Sequence, residues 1–489
     1  MGELLKKFSY ENSSIKYQLF RHKSNRFKII SRLLHTSALN EADARRMWDE
    51  ELERLTRAAS VSLLYVMDDG NIIFPTGLLN KVVKFFAEAG FASEDIIKRD
   101  NVIDLRKKPK ETQGYAIQAK ASVLRPYQEE AIAALVAAGQ GTMVAGTGLG
   151  KTVVIQELIR RLGLKTVLVV PSISIMRQTV VRFQKYFGRG MIGQFGGGKK
   201  LKEKLSPITI VCAPSIAKTD AAMWEGVDVV LLDEAHHSPC STIETIFYKV
   251  LPRAYYRYGF TATNFRNDGA DMAIEAAVFP PVFEYSAEDG IRDGYLAKPS
   301  FLMYEVGFNS HKSYTGDLPV FAYKYHILNN TALTKKIIDQ INTYIRNDKQ
   351  VLVLVREKEH GNMIWKGVPG AVFARDSNGE NASAAPSVDA HDAVQDFNSG
   401  KTRCLIGTSM IGEGTDVVPV DVLFNLMGGR SKLEVMQNIG RGLRTTDTKS
   451  EVLVVDYIHS TNQMLERHSL ERHKIYKKLG TVDVQTLNK

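Results

Sequence analysis

Two tandem α/β domains, each a doubly wound parallel sheet, behind a small α+β N-terminal domain, are the fold class that the sequence predicts. Three observations lead there. The chain has 489 residues, which at roughly 150 residues per domain suggests about three domains. From Leu124 onward, short β-rich apolar runs without polar alternation are separated by helix-length segments. That is the pattern of strands covered on both faces, and so of a parallel sheet between helices. The same pattern restarts after about residue 300.

Taken in order, residues 1–118 read as the accessory domain. Residues 41–58 have the spacing of an amphipathic helix, with Met47, Leu52 and Leu55 on one side. Val61 to Met67 and Ile72 to Phe74 then read as a hairpin about the turn Asp68-Asp69-Gly70-Asn71. A helix from Leu78 to Ala89 stops at Gly90, and the basic run Arg106 to Gln113 reads as a linker. In 119–299 the expected strands are Val167–Val170, Ile208–Val211, Val227–Leu232 and Arg257–Phe260. In 300–460 they are Val351–Val355, Cys404–Gly407, Val422–Asn425 and Val452–Asp456, with Asn378 to Asp389 as a loop. Residues 461–489 read as a basic tail, helix-compatible as far as Gly480.

Composition excludes several classes. Hydrophobic residues at 44% and charged residues at 24% rule out a disordered, collagenous or coiled-coil chain. Cys212, Cys240 and Cys404 are far apart with no CxxC pair, which argues against a disulfide scaffold or a cysteine metal site. No apolar run reaches the roughly 18 residues of a membrane span, and no secretory apolar stretch follows Met1, so a soluble cytoplasmic protein is expected. The formal net charge is +10, and half of it falls in the first 120 residues, where 21 basic residues face 16 acidic ones. Lys16, Arg21, Lys23, Arg26, Lys28 and Arg32 lie in a stretch without a single acid, interleaved with Tyr17, Phe20 and Phe27. With Arg106–Lys110 and Lys199-Lys200-Leu201-Lys202, this makes a polyanionic partner plausible; a solvated basic surface is the plain alternative.

The strongest chemical signal is Ala145-Gly146-Thr147-Gly148-Leu149-Gly150-Lys151-Thr152, between an apolar run and a helix. Glycines let backbone N–H groups wrap a phosphate, Lys151 reaches the β- and γ-phosphates, and Thr152 can ligate Mg²⁺. Ala145 stands where the general P-loop has Gly, but Gly146, Gly148 and Gly150 keep the loop permissive. A dinucleotide fingerprint would need Gly where Lys151 stands. Some 80 residues on, an apolar run ends in Asp233-Glu234-Ala235-His236. Asp233 is placed to hold Mg²⁺ and Glu234 to orient and deprotonate a water. His236 and His237 lack a third metal ligand at useful spacing.

These two blocks resemble motifs I and II of the superfamily 2 helicases and translocases, and further blocks agree in order and spacing over roughly residues 122–460. Leu124-Arg125-Pro126-Tyr127-Gln128 resembles the adenine-reading element, with Arg125 and Gln128 as its nucleotide contacts. Val170-Pro171-Ser172 with Arg177-Gln178, and Ala213-Pro214-Ser215, resemble blocks that line the nucleic-acid track. Thr261-Ala262-Thr263 with Arg266 resembles motif III, which couples hydrolysis to strand movement. Gly407-Thr408-Ser409 through Gly412-Glu413-Gly414-Thr415-Asp416 resembles motif V, which implies Thr408 as a nucleic-acid contact and Gly414 and Asp416 as nucleotide contacts. Gln437-Asn438-Ile439-Gly440-Arg441-Gly442-Leu443-Arg444 resembles motif VI. Arg441 and Arg444, expected one helical turn apart on a common face, would neutralise charge on the γ-phosphoryl group, with Gln437 beside them.

The resemblance implies two RecA-like domains, ATP and Mg²⁺ as cofactors, and DNA as partner. Its blocks look most like the DNA-directed branch, near UvsW-type phage recombination helicases, RecG and the excision-repair helicases. Gly70 to Leu79 also resembles the small N-terminal domain of the UvsW type, which grips duplex DNA. Branch migration or unwinding in recombination, replication or repair is then the expected role, in the host cytoplasm if phage-encoded. Phosphate contacts are expected at Arg21, Lys23, Arg26, Lys28, Lys199 and Lys200. An RNA helicase, a restriction-type motor subunit and a nucleic-acid binder with a dead ATPase are the alternatives. The last is disfavoured because Lys151, Asp233, Glu234, Arg441 and Arg444 are all present.

Overall fold

The computed structural model describes residues 121–198, 205–234, 240–262, 271–308, 319–374, 390–408, 420–430, 432–444 and 449–488, with a few single or paired positions elsewhere. Before residue 121 these include β1 (Tyr65–Val66) and β2 (Ile72–Ile73), which pair antiparallel with Tyr65 opposite Ile73, as the hairpin reading expects. The amphipathic helix at 41–58, the basic stretch, the linker apart from Pro109, Lys199 to Lys202 and Asn378 to Asp389 apart from Val388 lie outside the described residues, as does nearly all of the helix at 78–89.

The chain divides into two compact units, the first ending at Tyr285 and the second beginning at Ser286, with Gly146–Leu149 grouped with the second. In the first, α1 (Pro126–Ala138) leads into β3 (Gln140–Ala145), α2 (Lys151–Leu162), β4 (Thr166–Val170) and α3 (Ile173–Phe187). Then come β5 (Ile192–Phe195), β6 (Ile208–Cys212), β7 (Val229–Leu232), β8 (Tyr256–Thr261) and β9 (Pro281–Tyr285). Glycine ends the helices: Gly139 after α1 and Gly163 after α2 take left-handed φ values of 68° and 61° that a Cβ would resist. Ser172 caps α3 by accepting the Ile175 N–H at 3.3 Å. All strand pairs are parallel, in the order β5-β6-β4-β7-β8-β3-β9. β4, β6 and β7 are buried along their whole length, which explains why their sequences lack alternation. Val169, Val211, Leu232, Trp224, Phe247 and Val278 belong to one core under this sheet.

The second unit holds β10 (Lys298–Val306), α4 (Thr331–Arg346), β11 (Val351–Val355), β12 (Val372–Ala374), β13 (Cys404–Gly407) and β14 (Val422–Leu426). It closes with α5 (Lys432–Gly442), β15 (Glu451–His459), α6 (Gln463–Leu479) and β16 (Thr481–Leu487). Its sheet is again parallel, in the order β12-β13-β11-β14-β15-β10-β16. Numbered within each unit, both sheets run third, fourth, second, fifth, sixth, first, seventh. The two RecA-like domains are therefore one topology used twice.

The C-terminal segment forms a helix where the sequence reads as helix-compatible and departs from the expected tail only after Gly480. Asn462 Oδ1 caps α6 by accepting the N–H groups of Met464 and Leu465 at 3.1 and 3.2 Å. After Gly480 the chain adds β16 to the sheet edge, with Ser300 opposite Thr481 and Val306 opposite Leu487. Gly480 is required there, because a Cβ would collide with the Pro299 carbonyl oxygen. β16 escapes the sequence reading because it is an edge strand, exposed along most of its length and polar.

Candidate ATP site and nucleic-acid interface

In a parallel sheet every strand delivers its following loop to the same edge. In the first unit this edge collects Gly150, Lys151 and Thr152 of the P-loop after β3, Pro171 after β4, Ser215 just after β6, Asp233 after β7 and Thr261 at the end of β8. Blocks scattered over more than a hundred residues of sequence thus share one edge.

Gly148 and Gly150 adopt φ values of 86° and 77°, the backbone that turns β3 into α2. Lys151 opens α2 and is buried; its Nζ donates to the Ala145 carbonyl at 3.2 Å and lies 3.9 Å from Glu234 Oε1. The motif II carboxylates and the P-loop lysine are therefore one cluster. Asp233 is held by its own N–H, which donates to the Val169 carbonyl at 2.9 Å, and its Oδ1 accepts the Glu234 N–H at 3.0 Å. Glu234 sits at φ 47°, an uncommon conformation for a residue with a side chain. Burial pushes the Asp233 carboxyl up to about 7, the neighbouring Glu234 charge adds to this, and Lys151 and Arg182 oppose it.

Gln128 is buried, and its Oε1 accepts the Arg125 N–H at 3.0 Å. A Cβ on Gly150 would stand only 2.5 Å from Gln128 Nε2, so the Gln128 amide packs directly on the end of the P-loop. Tyr127 stacks on Tyr285 with ring centroids 4.1 Å apart, and its hydroxyl accepts from Arg125 Nη1 at 3.3 Å. Sequence reasoning missed Tyr285, and also Arg182 on α3, whose Nη1 donates to Thr152 Oγ1 at 3.3 Å. No spacing rule points from residue 182 to residue 152, because their meeting depends on how α3 lies beside α2.

Among the expected nucleic-acid contacts, Arg177 is exposed on α3, Pro171 and Ser215 are half-buried, and β4 and β6 are adjacent strands. Thr263, Arg266, Lys199, Lys200, Arg21, Lys23, Arg26 and Lys28 lie outside the described residues, as do His236 and His237.

In the second unit Thr408 follows β13 and is half-buried, while Gly414 and Asp416 lie outside the described residues. α5 carries Gln437, half-buried, and Arg441, buried. One expectation is corrected here. α5 ends at Gly442, so Arg444 is not on the next helical turn. It bridges antiparallel to Leu296, and the Leu443 carbonyl accepts the Ala297 N–H at 2.6 Å. The extended backbone breaks the helical phase that would have put both guanidinium groups on one face. Lys449 donates to the Gly442 carbonyl at 2.9 Å, and burial lowers its ammonium to about 8.

No helix of the described residues is long and apolar enough to cross a membrane. Nor do the described residues hold a group of three His, Cys, Asp or Glu able to bind a metal ion. A Thr152 hydroxyl with a single Asp233 carboxylate instead fits Mg²⁺, which keeps waters and substrate phosphates as its other ligands.

Two family models match: type III restriction enzyme, res subunit, over residues 121–266, and helicase conserved C-terminal domain over residues 333–446. Together they span more than half of the chain. The chain is 25% identical over 414 residues to the DNA 3'-5' translocase XPB2 of Sulfurisphaera tokodaii, covering 75% of this chain and 87% of that one. It is 23% identical over 393 residues to putative helicase 22 of Sulfolobus islandicus filamentous virus, covering 72% and 67%. A fragment of a putative HsdR subunit of a type I restriction enzyme from Vibrio vulnificus has the same fold, with a TM-score of 0.55 at 19% identity over 86% of this chain and 76% of that one. The T4 UvsW crystal structure covers 86% and 89% at 16% identity, but a TM-score of 0.36 is too loose a superposition to place the branch. The chain belongs to the superfamily 2 helicases and translocases. It is accordingly an ATP-dependent enzyme of the helicase and translocase kind.

Proposed function

We propose that this enzyme uses ATP hydrolysis to move along and remodel DNA, acting on duplex or branched substrates in recombination, replication or repair. The observation that carries the reading is the cluster of Lys151, Glu234 and Asp233 on one sheet edge, with Lys151 Nζ 3.9 Å from Glu234 Oε1. Bound Mg²⁺ and ATP supply the γ-phosphoryl group and partial neutralisation of its charge. Lys151 withdraws charge from the β- and γ-oxygens, Thr152 and Asp233 orient the metal, and Glu234 positions and deprotonates the attacking water. Arg125 and Gln128 hold the base, and Gly146, Thr147, Gly148 and Gly150 give backbone N–H groups to the phosphates. Arg441 and Arg444, with Gln437, stabilise the charge that develops on the γ-phosphoryl group, and Gly414 and Asp416 complete the nucleotide contacts.

DNA as substrate is supported by the named DNA translocase among the relatives and by the basic first 120 residues. Pro171, Arg177, Ser215 and Thr408 line its path, and Thr261, Thr263 and Arg266 couple that path to hydrolysis. ATPase stimulation should be compared across single-stranded DNA, duplex, fork, four-way junction and RNA. DNA should stimulate most, with fork or junction above plain duplex, and Lys151→Ala should abolish turnover while leaving DNA binding intact. Turnover that no DNA stimulates, or that RNA stimulates more, would overturn the reading.

A further inference from the structure

α6 is unexplained by the ATP site. Its inner face is fixed by a buried fork: Arg472 donates from Nε and Nη2 to the two Asp456 carboxylate oxygens at 2.7 and 2.8 Å. From Nη1 the same guanidinium reaches the Gly429 carbonyl at 2.8 Å. That bond ties α6 to the loop after β14, and the next residue of that loop is Arg430, which is exposed.

The outer face of α6 is basic. Arg467, Lys474 and Lys478 recur at helical spacing on one stripe with Lys477 beside it, and all four are exposed. Lys474 pairs with Glu471 at 2.8 Å, but Arg430, Arg467, Lys477 and Lys478 have no ion pair or hydrogen bond among the described residues. Arg356, at the end of β11, lies over the Tyr323 ring at 5.4 Å, and Tyr323 packs in one cluster with Met464 and Leu465 of α6. The cations therefore converge from three elements on the first half of the helix. His468 reports the resulting field: burial first, then Arg430, Arg472, Arg467 and Arg356, hold its imidazole down to about 4. The acids nearby are Asp456, which Arg472 occupies, Glu357 beside Arg356, Glu466, and Glu471, which Lys474 occupies. The unpaired cations among them, Arg430, Arg467, Lys477 and Lys478, repel one another, and a polyanion laid across them relieves that repulsion.

We propose that the outer face of α6, together with Arg430, is a contact surface for the phosphodiester backbone of duplex DNA on the second unit. From Arg467 to Lys478 the helix rises about 16 Å, and that length of duplex carries roughly nine phosphates. Contacts of this kind anchor without reading sequence, so they add affinity and salt dependence but no base preference. The proposal rests on the reading of DNA as substrate.

The test replaces Arg430, Arg467, Lys477 and Lys478 by Gln in the full chain and measures duplex binding by fluorescence anisotropy from about 50 to about 200 mM salt. Each cation that touches a phosphate contributes about 0.9 to the log–log slope, so the slope should become shallower by about 2 to 4 and affinity at low salt should fall at least tenfold. Thermal stability and ATPase without DNA should match wild type, because all four side chains are exposed. Lys477→Gln/Lys478→Gln alone should flatten the slope by about half as much. A control that neutralises Lys335, Lys336, Arg346 and Lys349, around α4, should leave the slope unchanged. An unaltered slope in the fourfold variant, or an equal change in the control, would overturn the proposal while leaving DNA as substrate. A wild-type enzyme that neither binds DNA nor is stimulated by it would overturn both.

Discussion

Gly150 meets two demands at once: a left-handed φ of 77° at the start of α2, and the Gln128 amide 2.5 Å from where a Cβ would stand. Gly188 has the first demand without the second, with φ 87° and nothing within 4 Å of the position a Cβ would take. Alanine at either site incurs about 1–2 kcal/mol of backbone strain, but only Gly150→Ala displaces the side chain proposed to hold the base. Gly150→Ala should therefore raise the KM for ATP about tenfold or more, and Gly188→Ala should leave it within about twofold. Steady-state ATPase with both variants checks this, and equal KM values would mean that the Gln128 contact is irrelevant to binding. At this scale the sequence was readable wherever chemistry sits on adjacent residues, as at Gly148 to Thr152 or Asp233-Glu234. It was silent wherever a partner arrives from another element, as Arg182 does at Thr152 and Tyr285 at Tyr127.

The elements of the second unit are held by the Asp456–Arg472 pair, which is almost wholly buried and shares its carboxylate with the Tyr476 hydroxyl and Asn425. Removing one partner strands a charge in the interior, whereas removing both leaves only a packing change. Arg472→Met should destabilise the second unit by about 3–5 kcal/mol, and Asp456→Leu/Arg472→Met should recover most of that loss. Urea unfolding followed at Trp365, which packs against the second core, measures both. A double variant no better than the single one would mean that α6 docks through its apolar side chains instead. Element boundaries follow the same logic of legibility. Strands buried on both faces announced themselves through unbroken apolar runs, as Val351–Val355 does. The end of α5 at Gly442 and the edge strand β16 did not, because one depends on a backbone bridge to Leu296 and the other on pairing with β10.

Over the whole molecule, one strand order used twice explains why β16 must exist: it is the seventh strand of the second sheet, as β9 is of the first. The restart of the apolar pattern near residue 300 foretold the repetition, and only the polar seventh strand concealed its completeness. Identical topology does not bring identical electrostatics, and acid should separate the two units. Every described histidine belongs to the second. Burial lowers His360 to about 4 and His468 to about 4, and lowers His459 to about 3. Neither ring nitrogen of His360 has a hydrogen-bond partner among the described residues. An imidazole with a depressed folded pKa gains a proton on unfolding, so its contribution is complete above about 6.5 and declines as pH falls toward 4. Glu357, raised by burial, opposes this trend with one carboxyl. In the first unit Asp233, raised to about 7 by burial and then by Glu234, and Asp228, also raised by burial, have the opposite sign. These carboxyls bind protons more tightly folded than unfolded, so acid between about 7 and 4 stabilises their unit. Each titrating group contributes at most about 1.4 kcal/mol per pH unit. With Trp48 replaced by Phe, Trp365→Phe leaves the buried Trp224 as reporter of the first unit, and Trp224→Phe leaves Trp365 as reporter of the second. In metal-free buffer the Trp365 unfolding midpoint in urea should fall between pH 7 and pH 5 while the Trp224 midpoint holds or rises, and His360→Phe should flatten the Trp365 response. Midpoints that fall together would show that the units share one titration, and that the buried imidazoles do not set the acid limit of the second.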